Sequence, residues 1–215
     1  MRLFVSLPLP ATVQDHLGLA VNSVTAQDPV PDLSRGPRAL RWVPAEQRHI
    51  TLAFYGEVPD GALGDLTERL TEVTSGFAPM RLQLRGAGVF SRRTLWVGVH
   101  EGSRAAGGRW LWDEETGEGQ TGRLVDLMAA LEDAGEPFSH VERRNRHRAH
   151  VTLARLSNRR PEDAELTRRA QALSVYAGPP WTATHARLMV SDLGAGKGGG
   201  PIHETIADLP LVGAP

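Results

Sequence analysis

Apolar and polar positions along this chain follow two periods, and the switches between them outline its elements. Residues 3–7 form a short apolar run closed by Pro8 and Pro10, which suits a buried strand, and residues 11–24 then carry a helical pattern. Four prolines and glycines among polar residues at 25–40 predict an extended loop. Residues 49–54, HITLAF, alternate His49, Thr51 and Ala53 with Ile50, Leu52 and Phe54, the period of a strand with one apolar face. Asp60 is placed to cap a helix carrying Leu63, Leu66 and Leu70. Strands are expected at 81–90 and 94–99, a long surface loop at 101–122 anchored by Trp110 and Trp112, and a helix at 122–134. A second alternating strand, AHVTLARL, spans 149–156. A helix at 161–173 and strands at 183–192 and 202–209 joined by a glycine-rich turn complete the chain.

Composition narrows the function classes. With 215 residues, 40% hydrophobic and 23% charged, the chain is of ordinary globular type. Its formal net charge of -1 argues against extended non-specific wrapping of nucleic acid. The absence of cysteine removes disulfides, thiolate nucleophiles and thiolate metal sites, so catalysis must use oxygen or imidazole. The opening MRLFVSLPLP is too short and too proline-broken for a signal-peptide core, and no apolar run approaches a membrane span, so a cytoplasmic protein is expected.

The chemistry lies in a repeat. Residues 49–53 read HITLA and residues 150–154 read HVTLA. A lone H-x-T is weak, since 8 His and 14 Thr in 215 residues yield roughly half a match by chance. His203-Glu204-Thr205 is such a match, without the apolar x or the following Leu-Ala. The longer repeated form predicts two related lobes, each presenting an imidazole and a hydroxyl on one strand face. Facing each other across a cleft, His49 and His150 can serve as acid and base at a phosphorus atom, while Thr51 and Thr152 hold its non-bridging oxygens. Such a site requires neither a metal nor a covalent intermediate. The expected order gives His49 the leaving-group proton and His150 the water.

At these residues the sequence resembles the RNA 2',3'-cyclic phosphodiesterases, also called 2'-5' RNA ligases, of the two-histidine phosphoesterase superfamily. The likeness runs through RLFVSLPLP at 2–10, RWVPAEQRHITLAFYGEVP at 41–59, TLWVGV at 94–99, HVTLARL at 150–156 and the closing pair RLMVSDLG and IHETIADLPL. It implies an α+β, bilobal fold, a single domain over 1–215 built from two pseudo-symmetric lobes of mainly antiparallel sheet, with helices outside and a central cleft. It implies His49 and His150 as the catalytic pair and Thr51 and Thr152 as phosphate-binding, with no metal or cofactor. The substrate would be an RNA or nucleotide ending in a 2',3'-cyclic phosphate, hydrolysed to a 2'-phosphomonoester, with reversible 2'-5' joining in some relatives. No membrane and no obligate protein partner are expected.

The family's second motif often extends to an arginine, here Arg155, as a substrate contact. Strict alternation sets Arg155 opposite His150 unless the strand twists or ends. The order His147-Arg148-Ala149-His150 also departs from the aromatic and Pro-His usual in relatives. Seven arginines and no acid at 143–160 could steer RNA. His140, His147 and His150 lack ligand-spaced carboxylates or cysteines, and the GAGKGGG stretch at 194–200 reads as a hairpin loop. Two rivals remain: a related enzyme acting on 2'-5' oligonucleotides or on an ADP-ribose cyclic phosphate, and a non-catalytic protein that holds RNA ends.

Overall fold

The computed structural model describes residues 1–26, 40–104, 110–112, 122–139, 147–156, 163–194, 196 and 200–214. Ten strands, β1 (Arg2–Pro8), β2 (Leu40–Trp42), β3 (His49–Glu57), β4 (Met80–Phe90), β5 (Thr94–Arg104), β6 (Trp110–Trp112), β7 (His150–Leu156), β8 (Trp181–Ala183), β9 (His185–Asp192) and β10 (Ile202–Pro210), form one curled sheet. Its order is β10-β9-β1-β3-β7-β5-β4-β8, every strand pairing among the described residues is antiparallel, and β2 and β6 attach to β7 and β5. With four α-helices among the described residues, α1 (Ala11–Thr25), α2 (Leu63–Ser75), α3 (Arg123–Gly135) and α4 (Asp163–Ala172), this is the expected α+β class.

Period two divides the central strands between two faces. Leu3, Val5, Leu7, Ile50, Leu52 and Val151 are buried in the core. The helices supply their own stripes: Val13, Leu17 and Val21 on α1, Leu66 and Leu70 on α2, and Leu124, Leu127, Met128 and Leu131 on α3. Burying such leucines contributes about 1.5–3 kcal/mol each, so the sheet is held from its apolar side and the opposite face stays available. Gly135 is fixed by this packing, because a Cβ there would clash with the Tyr55 ring, whose hydroxyl donates to the Leu131 carbonyl at 3.1 Å.

Two local expectations change. Asp60 caps no helix: it begins a 3-10 turn, Asp60–Ala62, ahead of α2 and accepts a hydrogen bond from the N-terminal amine at 3.3 Å. The 101–122 region is not all loop. Strand β5 continues to Arg104, and β6 pairs with it through Gly102↔Trp112, Ser103↔Leu111 and Arg104↔Trp110. A Cβ on Gly102 would come within 2.8 Å of the Trp112 ring, so this indole pins its strand by lying over a glycine. The expected loop at 27–39, the rest of 101–122, His140, most of the 143–160 arginines, residues 161 and 162 and part of the glycine-rich turn lie outside the described residues.

Candidate functional site

The two H-x-T strands are neighbours at the centre of the sheet. They meet at Ile50↔Val151, the x position of each motif, so a local two-fold axis passes between equivalent residues. Antiparallel register then sets His49 toward Thr152 and Thr51 toward His150, with all four side chains on the face opposite the core. The outer neighbours agree: Thr51 lies beside Ser6 and His49 beside Pro8, Thr152 beside Trp96 and His150 beside Gly98. All four residues are partly exposed, and neither threonine hydroxyl has a hydrogen-bond partner among the described residues.

Both imidazoles are oriented in the same way. His49 Nδ1 lies 2.8 Å from the Gln47 carbonyl oxygen, and His150 Nδ1 lies 2.8 Å from that of Arg148. A carbonyl only accepts, so each Nδ1 carries the proton and the lone pair of the neutral ring falls on Nε2. The pKa of His49 is pushed down to about 4, first by desolvation, against the Gln47 hydrogen bond that raises it, and further by the nearby His203, Arg155 and His150 charges. His49 is therefore neutral at pH 7 in the unliganded site.

Arg155 lies on the same face as the histidines. Leu95 pairs with Ala154 but Trp96 with Thr152, leaving Leu153 as an extra residue, so Leu153 and Ala154 are both buried and Arg155 emerges beside Thr94. A β-bulge re-aims the strand in this way. The same bulge occurs in β3, where Val5 pairs with Ala53 and Ser6 with Thr51 around Leu52, and there Phe54 takes the position of Arg155. The Arg155 guanidinium is exposed, has no partner among the described residues and lies close enough to depress the His49 pKa.

Several neighbours were not anticipated. His203, dismissed as a chance H-x-T match, stands on β10 with its ring 5.4 Å from that of His49 and perpendicular to it, and Phe4 contacts both rings at 5.1 and 5.0 Å. Its Nδ1 is buried without a partner, and burial lowers its pKa. Gln47 ties His49 to the chain just before β10: its carbonyl receives His49 Nδ1–H, and its amide donates to the Pro201 carbonyl at 3.0 Å. Around His150 the wall is aromatic. Phe90 and Trp96 stack at 4.8 Å, their centroids lie 4.9 and 6.4 Å from the His150 ring, and the Arg148 guanidinium lies 5.2 Å from the Trp96 centroid. His147 binds the buried Glu132 of α3 at 3.0 Å, a structural use. A cavity of about 540 Å³ lies along β1, β9 and β10 among Arg2, Glu57, Asp192 and Glu204, but no imidazole lines it.

A family model described as LigT like Phosphoesterase matches residues 10–97. An RNA 2',3'-cyclic phosphodiesterase of Thermus thermophilus is 30% identical over 218 residues, covering 99% of this chain and 91% of that protein. Its counterpart from Archaeoglobus fulgidus is 29% identical over 174 residues, covering 79% and 80%. Among solved structures, TT0787 of Thermus thermophilus has a TM-score of 0.65 at 23% identity, covering 99% of both chains. E. coli LigT complexed with 3'-AMP has a TM-score of 0.63 at 21% identity, covering 98% of this chain and 97% of that one. The fold and the doubled H-x-T strand define a two-histidine phosphoesterase. The chain belongs to the LigT-like phosphoesterase family. No helix among the described residues is long and apolar enough to cross a membrane.

Proposed function

We propose that this enzyme hydrolyses the terminal 2',3'-cyclic phosphate of RNA or a nucleotide to a 2'-phosphomonoester, using His49 and His150 alone for proton transfer. The observation that carries this reading is the junction at Ile50↔Val151, which puts two imidazoles with occupied Nδ1 atoms and two unpartnered hydroxyls on one face. One imidazole takes a proton from water as its oxygen bonds to phosphorus, and the other donates a proton to O3' as the P–O3' bond breaks. Thr51, Thr152 and Arg155 hold the phosphoryl oxygens. With a 5'-hydroxyl in place of water, the same transfers yield a 2'-5' linkage. The chain acts as one bilobal domain, each lobe supplying one H-x-T strand.

Burial around His49 supports the order opposite to the one expected from sequence. A base must begin neutral, and burial holds His49 neutral at pH 7, so His49 activates the water and His150 protonates the leaving group. The test is hydrolysis of a short RNA ending in 2',3'-cyclic phosphate, in excess EDTA, by wild type, His49→Ala and His150→Ala. Release of a 2'-phosphate by wild type, lost in each variant, supports the reading. Full activity in either variant, or dependence on added metal, contradicts it. Turnover of 2'-5' oligonucleotides or an ADP-ribose cyclic phosphate instead would move the assignment to those substrates.

A further inference from the structure

On the side of His150 away from His49, three cross-strand partners stand in a row: His150 on β7, Gly98 on β5 and Arg85 on β4. Directly opposed residues share a face, so Arg85 faces the same side as the catalytic histidine, two strand spacings or about 10 Å away. The middle of the row carries no side chain of its own. Gly98 lays its backbone bare between the Trp96 ring and His100 Nε2, which stand 3.5 and 3.4 Å from where a Cβ would be, and that Cβ would come within 2.8 Å of the Arg85 carbonyl oxygen. Gly86 shapes the outer end: at φ 62° it is the extra residue between Arg85↔Gly98 and Ala87↔Val97, a bulge held by its N–H donating to the Tyr176 carbonyl at 2.9 Å.

The result is a trough of about 340 Å³ beside the reaction site, lined by Arg85, Trp96, Gly98, His100 and Ser174 among others. Arg85 is half-buried, and no carboxylate or hydrogen-bond acceptor among the described residues engages its side chain. A partly desolvated guanidinium without a counter-ion is a standing site for a bidentate anion. Among the described residues no carboxylate lines the trough to compete for it.

We propose that this trough is a second phosphate subsite, in which Arg85 receives the phosphodiester that joins the terminal nucleotide to the next. The inference rests on the cyclic-phosphate reading above and adds a substrate class to it: an oligonucleotide end, in preference to a mononucleoside cyclic phosphate. The reacting phosphate sits at the H-x-T pair, and the chain leaves past Trp96 over the glycine gap to Arg85.

The experiment compares kcat/KM on three substrates: a nucleoside 2',3'-cyclic phosphate, the same compound with a 5'-phosphate, and a dinucleotide with the same cyclic end. Wild type should favour the dinucleotide over the nucleoside by at least about tenfold. Arg85→Gln should remove that preference, mainly through KM, while Arg85→Lys keeps part of it. Arg69→Gln, on the exposed face of α2, controls for loss of one charge and should retain the preference. A 5'-phosphorylated nucleoside matching the dinucleotide would show that any phosphate suffices, and the phosphodiester assignment would be withdrawn. Equal losses on all three substrates, or no change in preference, would overturn the subsite. Calorimetric binding of a dinucleotide 2'-phosphate against a nucleoside 2'-phosphate gives the same comparison without turnover, so a chain that binds through Arg85 but does not hydrolyse would sink only the hydrolase reading.

Discussion

His49 and His150 begin from the same five-residue motif, the same carbonyl bond two residues back and the same bulge three residues on, yet their surroundings share almost nothing. Around His49 stand a phenyl ring and a third imidazole, both from strands toward the β10 edge. Around His150 stand an indole, a phenyl ring and a guanidinium stacked over the indole. Residues inside the repeat fix where each ring nitrogen sits. Residues outside it set the protonation state of one imidazole and the shape of the wall beside the other.

The sharpest way to break this comparison is to ask the two histidines for different work. Each alanine variant should lose on the order of 10³-fold in kcat on a cyclic-phosphate RNA. On an aryl phosphodiester, whose leaving group needs no proton, His150→Ala should regain at least tenfold relative to its RNA rate and His49→Ala should not; the opposite pattern, read from initial rates, would exchange their roles.

Protonation separates the half-sites next. The unfolded chain binds a proton at His49 near pH 6.5, whereas the native chain resists until about pH 4, so native stability falls as pH drops through that window. The loss is on the order of 3 kcal/mol. Urea midpoints from pH 7.5 to pH 4 should fall less steeply in His49→Gln than in wild type, and parallel curves would count against a neutral His49. The threonines should behave alike: Thr51→Val and Thr152→Val each remove one donor to a charged oxygen, for about 10- to 100-fold in kcat, and a large difference between them would mean that the phosphate is held off-centre. The smallest effect concerns the indole wall. Gly88→Ala puts a methyl into the Trp96 ring, which should destabilise the chain by about 1–3 kcal/mol and weaken substrate binding without altering the pH profile of kcat.

Much of this was legible in the sequence because a buried strand face writes its period into the residues. Strands β1, β3, β4, β7, β9 and β10 lie close to where the sequence put them, and the doubled HxTLA marked the two strands that meet at Ile50↔Val151. The side-chain direction of Arg155 was not legible by strict alternation, since an extra residue reverses the faces. Its trace is the pair of apolar residues, Leu153 and Ala154, that both go inward. His203 was missed for a related reason. Strand β10 is the sheet's edge and is partly exposed on both faces, so its H-E-T carries no apolar x to advertise it. Asp60 had capping chemistry, but the chain reaches α2 through a 3-10 turn and leaves its carboxylate to the N-terminal amine.

The single rung joining β3 to β7 pairs Ile50 with Val151, each the same position of its own motif. A contact of a residue with its own equivalent is what an isologous dimer makes on its two-fold axis. Two identical half-length subunits could build that rung, but they would be bound to change in step, every substitution appearing on both sides of the axis. Joined in one chain, the halves are released from that bond: one can carry an imidazole neighbour and the other an indole, and a symmetric frame holds two unlike half-sites.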